Sequence, residues 1–213
     1  MQPTDRYVVR RGRAAVMPMV ALGLAIGAAA CGSTASHGAA ASPHAAASPS
    51  ASMAESAATV GNDCGMIPAA GMGSMHGMAM DPVVTAAAHN PLITTLAAEV
   101  QQAGLTSTLN SAKSITVFAP DNQAFKKLTA HDMTMMSGKA ELAKILEYHV
   151  ISGRITPAEL AHGMSLKTLE GGLVRTSKMG STYEVNNVAV TCGNLRTANA
   201  TVYVINTVLM PMH

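Results

Sequence analysis

Large apolar side chains are unevenly spread along these 213 residues, and they are concentrated after Asp81. A folded core needs large side chains to remove from water, so the chain is expected to hold one core, beginning near residue 81. Its length allows one ordinary domain with appendages or two small domains, and the uneven distribution favours the first. Hydrophobic residues make up 48% of the chain, but alanine supplies much of that figure, and charged residues are only 12%. With no Trp, two Phe and four Tyr, the chain lacks the aromatic platforms on which bases or sugars stack.

The segments before the core have their own logic. Arg6, Arg10, Arg11 and Arg13 precede the uncharged run "AAVMPMVALGLAIGAAA", which ends in small residues immediately before Cys31. Basic flank, apolar run and small residues form an export signal over residues 1–30. "AAACGS" resembles a bacterial lipobox, in which the cysteine, here Cys31, is lipidated and becomes the mature N-terminus. Ala28 stands where leucine is commonest, so plain secretion stays open beside lipidation. Cleavage before Cys31 removes four arginines and Asp5, taking the formal charge from +2 to −1. A nearly neutral product is not expected to bind nucleic acid, whose affinity comes from neutralising phosphates. Residues 31–62 are rich in Ala, Ser and Pro; such a stretch cannot offset its ordering entropy by burial and is expected to be a disordered stalk.

Past the stalk, residues 63–80 are a methionine-rich lead-in, and 81–213 carry alternating element signals. "DPVVTAAAHN" and "NPLITTLAAEVQQAG" each place Asp or Asn as cap before Pro at the first helical position. Leu92, Leu96 and Val100 recur at four-residue spacing and the pattern ends at Gly104, which predicts an amphipathic helix. "SITVFAP" predicts a buried strand, "DNQAFKKL" a helix capped by Asp121, and "KAELAKILEYHV" a helix with Leu142, Ile145 and Leu146 on one face. In "TPAELAHG", Thr156 as cap, Pro157 next and Glu159 three residues after the cap form a capping box closed by Gly163. The last fifty residues change to a period of two: "STYEVNNVAVTC" predicts a hairpin turning at Asn186 and Asn187, and "ATVYVINTVLMP" a long strand ended by Pro211. Helices first and strands later point to an α+β fold.

"TVFAPDNQAFKKL", "ILEYHVISGRI" and "TANATVYVINTVLMP", in that order and spacing, resemble the two hallmark blocks and the intervening Tyr-His dipeptide of the fasciclin (FAS1) domain. The resemblance covers about residues 78 to 211 and implies a single FAS1 domain, with β-sheets in a wedge or sandwich packed with several short helices. Within that family the chain is similar to the secreted and lipid-anchored immunogenic proteins of mycobacteria and related actinobacteria. There the matching cysteines are bonded, which implies a disulfide between Cys64 and Cys192. Over a separation of 128 residues, closing that loop is worth about 4 to 5 kcal/mol in the chain-entropy account.

No nucleophile elbow, H-E-x-x-H or phosphate-binding glycine loop occurs in the sequence, so neither an enzyme nor a cofactor is expected. His149 is expected to be a hydrogen-bonded core residue, and the Asn199-Ala200-Thr201 sequon to be incidental. The resemblance implies an adhesion or surface-binding module at the outer face of the cytoplasmic membrane or the cell wall, with an extracellular protein or glycan partner. The candidate contacts are Tyr203, Val204 and Ile205 on the last strand, and Phe118, Asp121 and Asn122 beside it, although burial in the core is the competing role for them. A second expectation is a carrier, in which "HDMTMM", Leu160, Met164 and Leu166 line an apolar groove.

"GMGSMHGMAMDP", residues 71–82, holds two further alternatives. Thioethers and imidazole suit cuprous copper, which makes Met72, Met75, His76 and Met80 a candidate metal set, with Met210, Met212 and His213 offering similar ligands. Methionine also fills irregular core gaps, and Met78 stands where the family has a packed lead-in residue.

Overall fold

The computed structural model describes residues 58–211. The export signal, Cys31, most of the stalk, Met212 and His213 lie outside the described residues.

Eight short helices and seven strands follow a 3-10 turn at Asp63–Met66. The helices are α1 (Met75–Met80), α2 (Val83–His89), α3 (Thr94–Ala103), α4 (Thr106–Ser111), α5 (Asn122–Lys126), α6 (Ala130–Ser137), α7 (Lys139–Tyr148) and α8 (Pro157–Ala161). The strands are β1 (Ile115–Pro120), β2 (Val150–Ser152), β3 (Ser165–Lys167), β4 (Leu173–Met179), β5 (Thr182–Val185), β6 (Val188–Arg196) and β7 (Ala200–Ile205). They form one sheet in the order β2-β1-β7-β6-β5-β4-β3. Only the β1–β7 pair is parallel among its neighbours, with Phe118 opposite Tyr203.

Because side chains alternate across a strand, the two central strands feed two cores. Ile115, Val117 and Ala119 of β1, with Ala200, Val202 and Val204 of β7, pack against the helices α2, α3 and α7. Phe118, Tyr203 and Ile205 point the other way, into a smaller core with Tyr148, Leu160, Leu166 and Val174. Every residue of β1 and β7 is therefore buried, the condition of strands covered on both faces.

Local signals set many boundaries. Thr156 and Glu159 form the expected reciprocal capping box, Asp121 Oδ1 accepts from Ala124 N at 2.6 Å, and α3 ends at Gly104 with φ 77°. Asn186 and Asn187, at φ 49° and 63°, turn β5 into β6 with the left-handed geometry that tight hairpins need.

Three expectations shift. Asp81 ends α1 and Pro82 sits at the cap of α2, whose first amides are met by side chains from far along the chain: Asn199 Oδ1 accepts from Val83 N and Asn110 Oδ1 from Val84 N, both at 2.9 Å. Helix α3 starts at Thr94, because Asn90 closes a turn onto Leu92 N and the cap is supplied by Asn122, whose Oδ1 accepts from Thr95 N at 2.9 Å. Strand β7 stops at Ile205, well before Pro211. Val208 and Leu209 are buried in the two cores, and Leu209 N donates to the ring of His149 rather than to a strand.

Candidate functional site

The hallmark strands place their large side chains inside. Phe118, Tyr203, Val204 and Ile205 are each 0% exposed, so the folded surface does not present them to a partner. The Phe118 and Tyr203 rings lie 6.0 Å apart, and Tyr203 Oη donates to Ile155 O at 2.8 Å; burial raises the phenol above its ordinary pKa. Two-sided burial of β1 and β7 is the physical reason these residues serve packing and not contact.

Asp121 and Asn122 are half-buried and occupied with capping. Asp121 caps α5. Asn122 accepts from Thr95 N while its Nδ2 donates to Pro91 O at 2.8 Å, so the side chain ties α5 to the start of α3. The two residues border a small depression shared with Asp63 and Met66.

His149 is buried and bridges the molecule. Its Nδ1 lies 2.7 Å from Ile145 O, and its Nε2 accepts from Leu209 N at 2.9 Å. That pairing fixes the neutral tautomer with the proton on Nδ1. Burial pushes its pKa down to about 4, opposed by the bond to Ile145.

The structure joins Cys64 to Cys192. Beside the bond, Val60 pairs with Gly193 in an antiparallel bridge, and Asn194 Nδ2 donates to Ala58 O at 2.9 Å. The chain entering the domain is thereby held along β6. Gly193 has to be glycine here, since an added Cβ would run into the Tyr203 ring.

An open groove of about 350 Å³ lies between α6, α7 and the C-terminal segment. Buried Ile145 and half-buried Met135, Met210 and Pro211 make its apolar floor, and exposed His131, Glu141 and Lys144, with half-buried Asp132, its ionisable rim. Asp132 is locked by its own capping box, accepting from Thr129 N and Thr129 Oγ1, and these bonds, the backbone one first, hold its carboxyl below the usual range. The apolar groove expected for a carrier does not form as one surface. Met135 faces this groove, whereas Leu160 and Leu166 are buried on the opposite side of the sheet and Met164 is partly exposed.

The lead-in is built into the domain. Met78 is 2% exposed and packs in the main core, with Asn90 Nδ2 donating to its sulfur at 3.2 Å. Met72, Met75, His76 and Met80 all face solvent.

Residues 91–211 match the fasciclin domain. The chain belongs to the fasciclin domain family. It is 42% identical over 161 residues to immunogenic protein MPB70 of Mycobacterium bovis, covering 71% of this chain and 82% of that protein. It is 40% identical over 161 residues to the cell surface glycolipoprotein MPB83 of the same species, covering 71% of this chain and 72% of the relative. Among solved structures, the FAS1 domain pair of the insect cell adhesion molecule Fasciclin I superposes with a TM-score of 0.55 at 16% identity, over 63% of this chain. This chain spans about half of that structure, 52%, and at such identity the likeness concerns the fold alone. The fold is thus a single FAS1 domain of the α+β class.

Glu141, Lys144 and Pro211 carry no local mark of a site. They meet only because α6 and α7 pack against a segment more than sixty positions later in the chain; the Thr129–Asp132 capping box that starts α6 is the local signal that could have located that helix.

Proposed function

We propose that this chain is an exported, lipid-anchored surface module that engages an extracellular protein partner, with adhesion as the outcome. The observation that carries the reading is the groove of α6, α7 and the C-terminal segment, which offers an apolar floor within an ionisable rim. Burial of Phe118, Tyr203, Val204 and Ile205 removes the hallmark strands as contacts. Support for the setting comes from relatives named as a cell surface glycolipoprotein and an immunogenic protein. The leader ending at Cys31 supports the anchor.

Partner chemistry follows from the rim. Four ionisable residues around the floor suit a polypeptide with an apolar anchor and charged flanks, in keeping with the apolar centre and polar rim of protein interfaces. A wholly apolar ligand would leave those groups facing hydrocarbon at a cost in desolvation. The test displays the full chain on cells and measures attachment to surfaces coated with extracellular proteins or with glycans. Reversing the rim with Lys144→Glu and His131→Glu, both exposed, should cut attachment to protein about tenfold, the effect of losing a contact of about 1.4 kcal/mol, at an unchanged unfolding midpoint. Unchanged attachment would refute the groove; an apolar molecule extracted from the purified chain would establish the carrier instead.

A further inference from the structure

Four of the seven exposed methionines among the described residues lie close together in sequence, while Met133, Met164 and Met179 lie elsewhere. Met66, Met72, Met75 and Met80 are 63%, 56%, 41% and 73% exposed. All lie within the short stretch before α2, where His76 is exposed too. A scattered apolar side chain on a surface needs no explanation, whereas a contiguous set marks a site for something.

The backbone explains how part of this set converges. Ser74 is buried, donates its hydroxyl to Gly71 O at 2.6 Å and accepts from Gly77 N at 3.1 Å. The turn at residues 71–74 is thus fastened to the first turn of α1. Gly77 lets the two segments touch: an added Cβ there would come within 2.6 Å of Met72 O and 2.7 Å of Met72 Cα. The Met72 backbone therefore lies against the Gly77 face of α1. On that helix His76 and Met80 are four residues apart, about 40° around the axis, and Gly77 lies about 60° beyond Met80. Met72, His76 and Met80 thus border one face. Met75 is displaced about 140° from Met80, and Met78 is turned into the core with its sulfur already bonded.

We propose that this turn and helix form a binding site for a cuprous ion, with the thioethers of Met72 and Met80 and an imidazole nitrogen of His76 as its three ligands. Thioethers select soft copper(I) over hard and borderline cations, and imidazole, which serves zinc as well, adds a third donor that copper accepts. No group of three His, Cys, Asp or Glu able to hold a metal occurs among the described residues, so no harder site of that kind competes there with the thioether set. The ligands sit on a capped helix and a hydrogen-bonded turn, so the backbone is ordered beforehand and only the exposed side chains have to settle on binding.

The experiment titrates copper(I) into the full chain, without oxygen, against a competing copper(I) chelator, in a Cys31→Ser background that removes the free thiol outside the disulfide. One ion should bind with submicromolar affinity, and X-ray absorption should show two sulfur ligands and one nitrogen ligand. Replacing Met72 and Met80 by Leu and His76 by Ala together should weaken binding about a hundredfold, with Met75→Leu changing it by less than about threefold, and all variants keeping the parent's unfolding midpoint. Four results would overturn the proposal: affinity weaker than micromolar, an unchanged triple variant, loss of binding through Met75→Leu alone, or equally tight zinc(II) binding, which would place the affinity in imidazole.

Discussion

Lowering the pH from 7.5 to 4.5 protonates His149 in the unfolded chain but only in part in the folded one, because burial holds the folded pKa at about 4 against about 6.5 unfolded. The unfolded state then binds more protons, so stability falls as the pH falls through that window. A difference of roughly 2.5 units corresponds to at most about 3.4 kcal/mol, of which about 2.5 kcal/mol is lost by pH 4.5. Asp132 and Glu159, with carboxyls held below the usual range by their capping bonds, act in the same direction. Their contributions are present above the ordinary carboxylate pKa and are lost at more acid pH. Denaturant unfolding at pH 7.5, 6.0 and 4.5 with the disulfide intact measures the slope. His149→Gln supplies the control: its amide oxygen can accept from Leu209 N and it carries no titrating group. The variant should be less stable at pH 7.5, and its stability should fall less steeply with acid by about 2 to 3 kcal/mol over the range. Parallel curves for the two proteins would show that His149 is not kept neutral by the fold, and the reasoning would fail.

Removing the disulfide by Cys64→Ala should lower unfolding free energy by about 2 to 5 kcal/mol, read as a denaturant midpoint that matches the reduced parent. Asn199→Ala should cost about 2 to 4 kcal/mol, since it leaves Val83 N uncapped and strips the donor from Leu109 O and Ala112 O; calorimetry checks it. Gly193→Ala should cost about 1 to 3 kcal/mol through the clash with Tyr203, and Tyr203→Leu in the same chain should recover part of that loss. Cys31→Ser should move the chain from the membrane fraction to the medium, and retention at the membrane would refute lipid anchoring.

What could be read from the sequence depended on how local each cause was. The Thr156–Glu159 box and the Asn186–Asn187 turn are complete within a few residues, so pattern and structure coincide there. The cap of α3 is Asn122, 27 residues away from Thr95, and no local rule can point to it. Strand β7 illustrates a different limit, because the period of two continues past Ile205 while the chain itself leaves for His149, 60 residues earlier. The three hallmark blocks were legible as blocks. The runs "TVFAP" and "ATVYVI" are near-continuous in apolar residues, as strands covered on both faces are, yet the same composition would suit an apolar contact surface, so core and contact both stayed open until the helices covering them were in place.

The bond between Cys64 and Cys192 also decides what a pull on the chain can do. A load applied through the segment before Val60 meets the β6 bridge first, and then the covalent cross-link. Beyond that point tension crosses directly into β6 and runs on toward the C-terminus, leaving residues 65–191 slack inside a closed loop. Helices α1 to α8, with the α6 and α7 walls of the groove, and strands β1 to β5 all belong to that loop, whereas Met210 and Pro211 of the groove floor lie beyond it. Pulled between its stalk and its C-terminal end, the domain would keep this region unstretched, and its compliance would come from the residues on either side of the staple.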